Sequence, residues 1–417
     1  MTVAAITGAL LLILGAAEAQ AQTFQVIHNF TGGVAGYYPG TGVVFDQAGN
    51  LYGTAAYGGN YNSSCNYVGS ETGCGVVYKM THHGSGWVFN LLFSFDGSNG
   101  YNPEQQLALA SDGTLYGTTL WGGSGDCHDF APGCGTIFRL QPPASFCRSV
   151  LCPWSGTELH DFQGGANDGA FPQVGSLTFD AAGNVYGTTE NGGLYGFGTV
   201  YKLTRNGDHW DMSILYNFGG SNDGGNPWAG VVFDSAGNLY GSTCCGGNDG
   251  FSGVVYKLSP TQSGWTQTVI HSFNYLTDGA HPSGNLVMDS SGNLYGVTEA
   301  DGPNGGGTVW ELSPSEGDWN FTVLYSFGGS GPFGGLLMDR AGSFYGAAQD
   351  TDHPWGAVFK LSPSNGGWNY TSLHTFTGGN DGGIPWSQLT MDSAGNLFGT
   401  TEVGGSNNYG VVFEITP

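Results

Sequence analysis

The chain predicts an all-β fold, a ring of seven four-stranded sheets, and three observations carry that prediction. A unit resembling Asp-x-Ala-Gly-Asn-Leu-Tyr-Gly-Thr-Thr…Gly-Gly…Gly-Val-Val-Tyr-Lys-Leu recurs at Asp46–Met80, Ala110–Leu140, Asp180–Leu203, Asp234–Leu258, Asp289–Leu312, Asp339–Leu361 and Asp392–Ile415. Its central aromatic falls at Tyr52, Tyr116, Tyr186, Tyr240, Tyr295, Tyr345 and Phe398, and the last four intervals are 54, 55, 50 and 53 residues. Glycine supplies 77 of 417 residues beside 14% aromatics, far above the usual ~7% glycine and in keeping with turn punctuation in a β-rich core. Four short strands at a period of about 50 residues describe the blade of a β-propeller.

Each element follows from local chemistry. In Asp180-Ala-Ala-Gly-Asn184 the Asp side chain can bond the backbone ahead and Gly183 supplies a positive φ, so the segment predicts a tight turn. The turn joins strand a (for example Gly230-Val-Val-Phe233) to strand b, Val185-Tyr-Gly-Thr-Thr189. Diglycine Gly192-Gly193 breaks the pattern, and strand c resumes at Thr199-Val-Tyr-Lys-Leu203. Strand d begins with Trp and ends with Phe: Trp87/Phe95, Trp154/Phe162, Trp210/Phe218, Trp265/Phe273, Trp319/Phe327 and Trp368/Phe376. The seventh copy stops after strand c, whereas an unattached strand of type d, Thr23–Phe30, stands at the N-terminus. Completion of the last blade by that strand closes the ring and leaves no sheet edge between first and last blades. Residues 22–417 thus read as one seven-bladed domain.

Residues 1–21 contain the apolar run Ala9–Ala17 and the small-residue sites Ala17-Glu-Ala19 and Ala19-Gln-Ala21, which predict a secretory signal peptide and a secreted or periplasmic mature chain. No later apolar run is long enough to span a membrane. Eight Lys and Arg against 32 Asp and Glu give a formal charge of −24, which argues against nucleic acid or anionic membranes as partners. Eight cysteines fit an oxidising compartment. Close pairs within insertions predict the disulfides Cys65–Cys74, Cys127–Cys134 and Cys147–Cys152. Adjacent Cys244 and Cys245 are left to a strained eight-membered ring or to two separate bonds. No pair has CxxC spacing, and no histidine cluster accompanies them, so a zinc site is not expected.

The repeat resembles the GloVer-type tandem repeat of exported bacterial proteins over nearly all of the mature chain. That resemblance implies an exported protein and brings no catalytic residues with it. The layout is also similar to kelch repeats in its diglycine after strand b and in the nine-residue spacing of Tyr201/Trp210, Tyr256/Trp265 and Phe359/Trp368, and this supports the blade topology.

In such a ring the b–c and d–a connections emerge on one face. The d–a turns carry Asp168, Asp223, Asp278 and Asp381, each before glycine, where Asp is also ordinary turn chemistry. The end of strand b carries Glu190, Glu299 and Glu402, with Ala56, Leu120, Cys244 and Gln349 at the matching positions. Trp228 and Trp386 follow turn prolines, while Tyr57 and Trp121 precede the diglycines. Acids beside flat aromatic faces suit a hydroxyl-rich or cationic ligand, and several carboxylates together suit Ca²⁺. His28, His160, His271 and His374 share a slot with Phe93, Tyr216 and Tyr325, which marks it as a packing position. His281 and the remaining histidines are scattered without metal-ligand spacing. These features predict a monomeric exported binding module for a carbohydrate, a cation or an extracellular protein. The alternative is a carbohydrate-active lyase or hydrolase using acids at the mouth. Near-equivalence of the repeats favours binding.

Overall fold

The computed structural model describes residues 22–416 apart from 62–64, 68–69, 85, 128–132, 144–153 and 173–174. Seven four-stranded antiparallel sheets follow one another along the chain. In the third blade the order is Thr178–Phe179, Val185–Thr189, Thr199–Asn206 and His209–Asn217. The N-terminal strand Thr23–Asn29 is the fourth strand of the seventh sheet, with Thr23 opposite Thr416 and Asn29 opposite Val411. Its register shifts between Val26 and His28. The same bulge separates the third and fourth strands of the other six blades, so this strand is built like its counterparts. No helix among the described residues is long and apolar enough to cross a membrane.

The repeat motif explains each blade. Asp180 closes the turn between the first two strands, its Oδ1 accepting the Ala182 and Asn184 amides at 2.9 Å. Its Oδ2 accepts Asn184 Nδ2 at 2.7 Å and the Tyr186 hydroxyl at 3.0 Å. Equivalent bonds recur around Asp46, Asp234 and Asp289. Burial alone would raise these four carboxyls, but the bonds from Asn and Tyr outweigh it and hold them below the usual range. The second strand is buried along its whole length in blade after blade, as in Val185–Thr189. Glycine sits at its centre because the third-strand aromatic lies across it: a Cβ on Gly187 would come within 2.4 Å of Tyr201 Oη.

Blades are joined by aromatic rings. The phenylalanine that ends each fourth strand is buried and meets the third-strand aromatic of the next blade. The pairs are Phe95–Phe138, Phe162–Tyr201, Phe218–Tyr256, Phe273–Trp310, Phe327–Phe359 and Phe376–Phe413, with centroids 5.0 to 5.5 Å apart. Phe30, from the N-terminal strand, makes the seventh pair with Tyr78 of the first blade at 5.4 Å. Disulfides Cys65–Cys74 and Cys127–Cys134 tie the long connections of the first two blades. Cys147 and Cys152, and the expected signal segment 1–21, lie outside the described residues.

Phe30→Ala should cost about 3–5 kcal/mol in reversible denaturation, the range for truncating a buried Phe. Starting the chain at Gly42 removes the whole strand and bares the edge Val411–Thr416, so the melt should shift down and broaden. Unchanged melting of that shorter chain would contradict the closure.

Candidate functional site at the mouth of the ring

One short segment sets the mouth. The residue before each turn proline adopts a left-handed backbone in six blades: Tyr38, Asn102, Phe171, Asn226, His281 and Ile384, with φ between 54° and 61°. Such φ values are costly for side chains like Ile and persist only where surroundings enforce them. Hydrogen bonds do so here. The amide of Asn226 donates to Phe197 O of the preceding blade at 2.8 Å, and its carbonyl accepts the Cys244 amide of its own blade at 3.1 Å. Phe171 bonds Cys134 O and the Glu190 amide in the same way, and Ile384 bonds Trp355 O and the Glu402 amide. The proline itself packs on the glycine that opens the preceding blade's third strand: a Cβ on Gly198 would lie 2.7 Å from Pro227 Cδ, and one on Gly356 2.3 Å from Pro385 Cδ. These ties fix where the ends of the second strands, and thus Glu190, Glu299 and Glu402, stand.

Three residues beyond each proline the chain reaches the axis, where Gln106, Asn285 and Gln388 alternate with Gly42, Gly175, Gly230 and Gly335. Asn285 Oδ1 accepts the Ser176 and Gly230 amides at 3.1 Å each, and its Nδ2 donates to Ser176 Oγ at 2.6 Å and Gln388 Oε1 at 2.9 Å. Gln106 Nε2 donates to Val43 O at 3.1 Å. The glycines leave room: a Cβ on Gly230 would meet Asn285 Oδ1 at 2.8 Å. Amides therefore line the axis, around a small cavity of ≈ 60 Å³ walled by Gln106, Ser176, Asn285 and Gln388 together with Glu104 and Trp386.

A larger cavity of ≈ 180 Å³ shares Gly40, Thr41, Glu104 and Trp386 with it and is lined further by Tyr38, Ala56, Phe333 and Glu402. Trp386 stacks on Phe333 with centroids 4.7 Å apart and remains 36% exposed, offering a flat face. Burial, then the neighbouring Glu104, push the Glu402 carboxyl up to about 8. Burial likewise raises Glu104 to about 7, opposed by the neighbouring Asn102 side chain. Glu104, Tyr38 and Phe333 escape sequence reading, although Glu104 is the sole acid among the residues that follow the turn prolines: Gly40, Glu104, Gln173, Trp228, Ser283, Phe333 and Trp386.

Elsewhere around the mouth, burial pushes Glu299 up to about 8, opposed by Ser283 and His281, and its Oε1 has no hydrogen-bond partner. Glu190 is half-buried at the matching strand end, and its charge acts on Cys244. Cys244 and Cys245 are free thiols, which corrects the expected disulfide bonding of both. His281, read from the sequence as a scattered turn residue, lies beside them. Among the described residues, Cys244, Cys245 and His281 form the only group of three or more His, Cys, Asp or Glu whose ligand atoms all lie within 4.8 Å of one another. Glu190, Glu299 and Glu402 form no such group, so the carboxylate cluster expected for Ca²⁺ is not assembled from them.

The turn aspartates do not face the mouth with free carboxylates. Asp168 accepts His160 Nε2 at 3.0 Å and the Gln163 amide at 2.9 Å. Asp278 pairs with His271 at 3.1 Å, Asp381 with His374 at 3.2 Å, and Asp223 accepts the Tyr216 hydroxyl at 3.1 Å. Each fastens its turn to the outermost strand, because the shared His/Tyr slot places a donor there. Tyr57 and Trp121 are partly buried against Tyr37 and Tyr101 at 5.3 Å each, within the blade packing. Trp228 is half-buried, 6.4 Å from the His281 ring. Of the aromatics expected at the mouth, Trp386 lines the cavity.

Two outcomes follow. His160→Tyr should change stability by under about 1 kcal/mol, since Tyr216 already serves this slot. Asp168→Ala, which strands the donors on His160, Gln163 and Gly169, should cost about 1–3 kcal/mol in the same denaturation series. The mouth glutamates behave oppositely to ordinary surface acids. Their raised folded values mean a charge penalty that is absent below the ordinary value of 4.5 and grows as pH rises towards 8. Glu402→Gln and Glu299→Gln should therefore raise Tm at pH 9 and leave it unchanged at pH 4; equal shifts at both pH values would contradict the assignment.

Comparison with known proteins places the fold and the family. A Lactobacillus plantarum structure is similar at 15% identity, with 84% of this chain and 89% of that one covered and a TM-score of 0.50. A Dyadobacter fermentans protein of unknown function is 11% identical over 94% of this chain and 98% of its own, with a TM-score of 0.45. A Thermus thermophilus protein, provisionally named an oxidoreductase (glucose dehydrogenase), is 15% identical over 75% of this chain and 96% of its own, with a TM-score of 0.40. At 15% identity the likeness to the Lactobacillus plantarum structure speaks to the fold alone. No curated protein shows significant sequence similarity. The model of the Gloeobacter/Verrucomicrobia repeat matches residues 63–209 and 133–350, and with its unit recurring around the whole ring the chain belongs to the Gloeobacter/Verrucomicrobia repeat family.

Proposed function

We propose that the protein is an exported binding module whose mouth cavity receives a single sugar ring or the end of a saccharide chain. The observation that carries this reading is the cavity wall, where the exposed Trp386 face and Tyr38 stand with Glu104 and Glu402. A flat aromatic face stacks on the apolar face of a sugar, and carboxyl groups bond its hydroxyls. With its carboxyl raised to about 8, Glu402 is mostly protonated near neutral pH, and Glu104, raised to about 7, is about half so, so the pair donates as well as accepts, and a neutral ligand adds no charge to the site. At ≈ 180 Å³ the cavity is smaller than the ~300–1,000 Å³ of drug-sized sites, which favours one ring over a long chain segment. Two disulfides and the bacterial repeat family support an extracellular setting.

A second reading has its own support. Glu104 and Glu402 come from different blades, have different neighbours and line one cavity. A carboxyl protonated near neutral pH beside a second carboxyl is the equipment of acid–base cleavage at a glycosidic bond. A glycan array with the purified mature chain, followed by titration of the hits, separates the two. Binding predicts that Trp386→Ala weakens affinity at least tenfold while Glu402→Gln changes it only a few-fold, with the glycan recovered intact. Cleavage predicts that Glu402→Gln abolishes product and retains affinity. Absence of any glycan hit, or hits indifferent to Trp386→Ala, would overturn both.

A further inference from the structure

The junction between the fourth and fifth blades departs from its sisters in a chemically specific way. At every junction the last residues of one blade's second strand meet the residue preceding the next blade's turn proline. Between the third and fourth blades these are Glu190, Asn191 and Asn226, and Asn226 Nδ2 donates to Glu190 O and to Asn191 Oδ1 at 3.1 Å each. Elsewhere the sets are Ala56, Tyr57 and Asn102; Leu120, Trp121 and Phe171; Glu299, Ala300 and Gly331; Gln349, Asp350 and Ile384; Glu402, Val403 and Tyr38. At one junction all three positions are metal-ligating types: Cys244, Cys245 and His281.

We propose that Cys244, Cys245 and His281 form a binding site for a thiophilic closed-shell cation, Zn²⁺ or Cu⁺, at the rim of the mouth. Their sulfur and imidazole ligand atoms lie within 4.8 Å of one another, close enough for one ion to bridge them with Zn–S and Zn–N bonds of about 2.3 and 2.0 Å. Two thiolates and an imidazole select soft and borderline metals over Ca²⁺ or Mg²⁺. The scaffold holds the ligands before any metal arrives. Cys244 and Cys245 donate their amides to Asn226 O and Gly225 O at 3.1 and 3.2 Å, and the Cys245 carbonyl accepts Thr243 Oγ1 at 2.9 Å. His281 is fixed at φ 58° by its amide bond to Ser252 O and by the edge of Phe251, 4.5 Å away.

The groups around these ligands fit as well. His281 Nδ1 lies 3.1 Å from Cys244 O, and a carbonyl only accepts, so Nδ1 carries the proton and the neutral ring keeps its lone pair on Nε2. This is the backbone bond that metal-ligating histidines commonly make. Glu299, with one carboxyl oxygen buried and unpartnered, acts electrostatically on both Cys244 and His281, while the two thiolates by themselves balance the charge of Zn²⁺. Binding releases the thiol protons to solvent and changes no oxidation state.

The test uses the full mature chain, reduced with a non-chelating phosphine and stripped of metal, titrated calorimetrically with ZnCl₂. Thiol labelling counts Cys244 and Cys245 before each titration. One equivalent should bind, with protons released in proportion to buffer ionisation. Substituting Co²⁺ should give sulfur-to-metal charge-transfer absorption. His281→Asn is the informative variant, because Asn226 shows that Asn adopts this backbone and makes the same bond to the strand end. It should fold normally and weaken Zn²⁺ binding at least about tenfold, while Cys244→Ser/Cys245→Ser should abolish binding and the Co²⁺ band. Absence of binding with both thiols counted as free, or binding unmoved by His281→Asn and by the double serine variant, would overturn the site; so would thiols that remain oxidised after reduction.

Discussion

The contact on which this molecule depends is the meeting of a fourth-strand phenylalanine with the third-strand aromatic of the next blade, edge against face in six pairs and tilted in Phe327–Phe359. It occurs seven times, from Phe30–Tyr78 round to Phe376–Phe413. A single four-stranded sheet cannot bury both of its faces, so each blade borrows half its core from its neighbour. The mixed make-up of the cores shows this: Phe398 and Val412 of the last blade pack with Val43, Leu51 and Tyr78 of the first. Aromatic pairs of this geometry contribute about 0.5–1.5 kcal/mol beyond their buried area, and the ring closes only if all seven are made. The N-terminal strand is therefore a structural necessity of the last interface, because Phe30 arrives on it.

Once those interfaces are set, the rest of each repeat serves to let the strands approach. Glycine in the second strand makes room for the Tyr or Trp lying over it, and glycine before the third strand makes room for the neighbour's proline. Strain is concentrated just before that proline, at residues such as Ile384 with φ 58°. Backbone bonds to two blades hold these residues whatever side chain they carry, although some, such as Phe171, also pack in the core. That is why Tyr, Asn, Phe, His and Ile all occupy one position, and why chemistry can vary at the mouth without cost to the ring.

This division explains what could be read from the chain and what could not. Period, turn and strand assignments rest on local patterns that recur seven times, so the blades, the Asp turns and the Cys65–Cys74 and Cys127–Cys134 pairs are legible. The four turn aspartates are misplaced by sequence reading because their partners, His160, Tyr216, His271 and His374, form a packing slot of their own. Sequence spacing of seven or eight residues hides that the two slots bond. The cavity and the thiol–imidazole cluster depend on neighbours from different blades. Cys245 and His281 are 36 positions apart and meet where two consecutive blades stack, whereas Glu104 and Glu402 are separated by nearly three hundred and meet because the ring closes. Aligning the pre-proline and post-proline residues across repeats flags both His281 and Glu104 as odd members.

The amide-lined axis gives the mouth its character. Gln106 bonds the backbone and Asn285 bonds both backbone and Gln388, and burial around the mouth raises the carboxyls of Glu104, Glu299 and Glu402. The acidity of the chain as a whole, −24 in formal charge, would lead one to expect an anionic mouth that attracts cations by field alone. Burial reverses that expectation locally by pushing these three groups towards the neutral form, while most of the charge remains on the outer rim and surface, where water solvates it. The mouth therefore discriminates by specific donors and a flat aromatic face at Trp386, and by soft ligands at Cys244, Cys245 and His281. A general attraction for positive charge belongs to the surface around it.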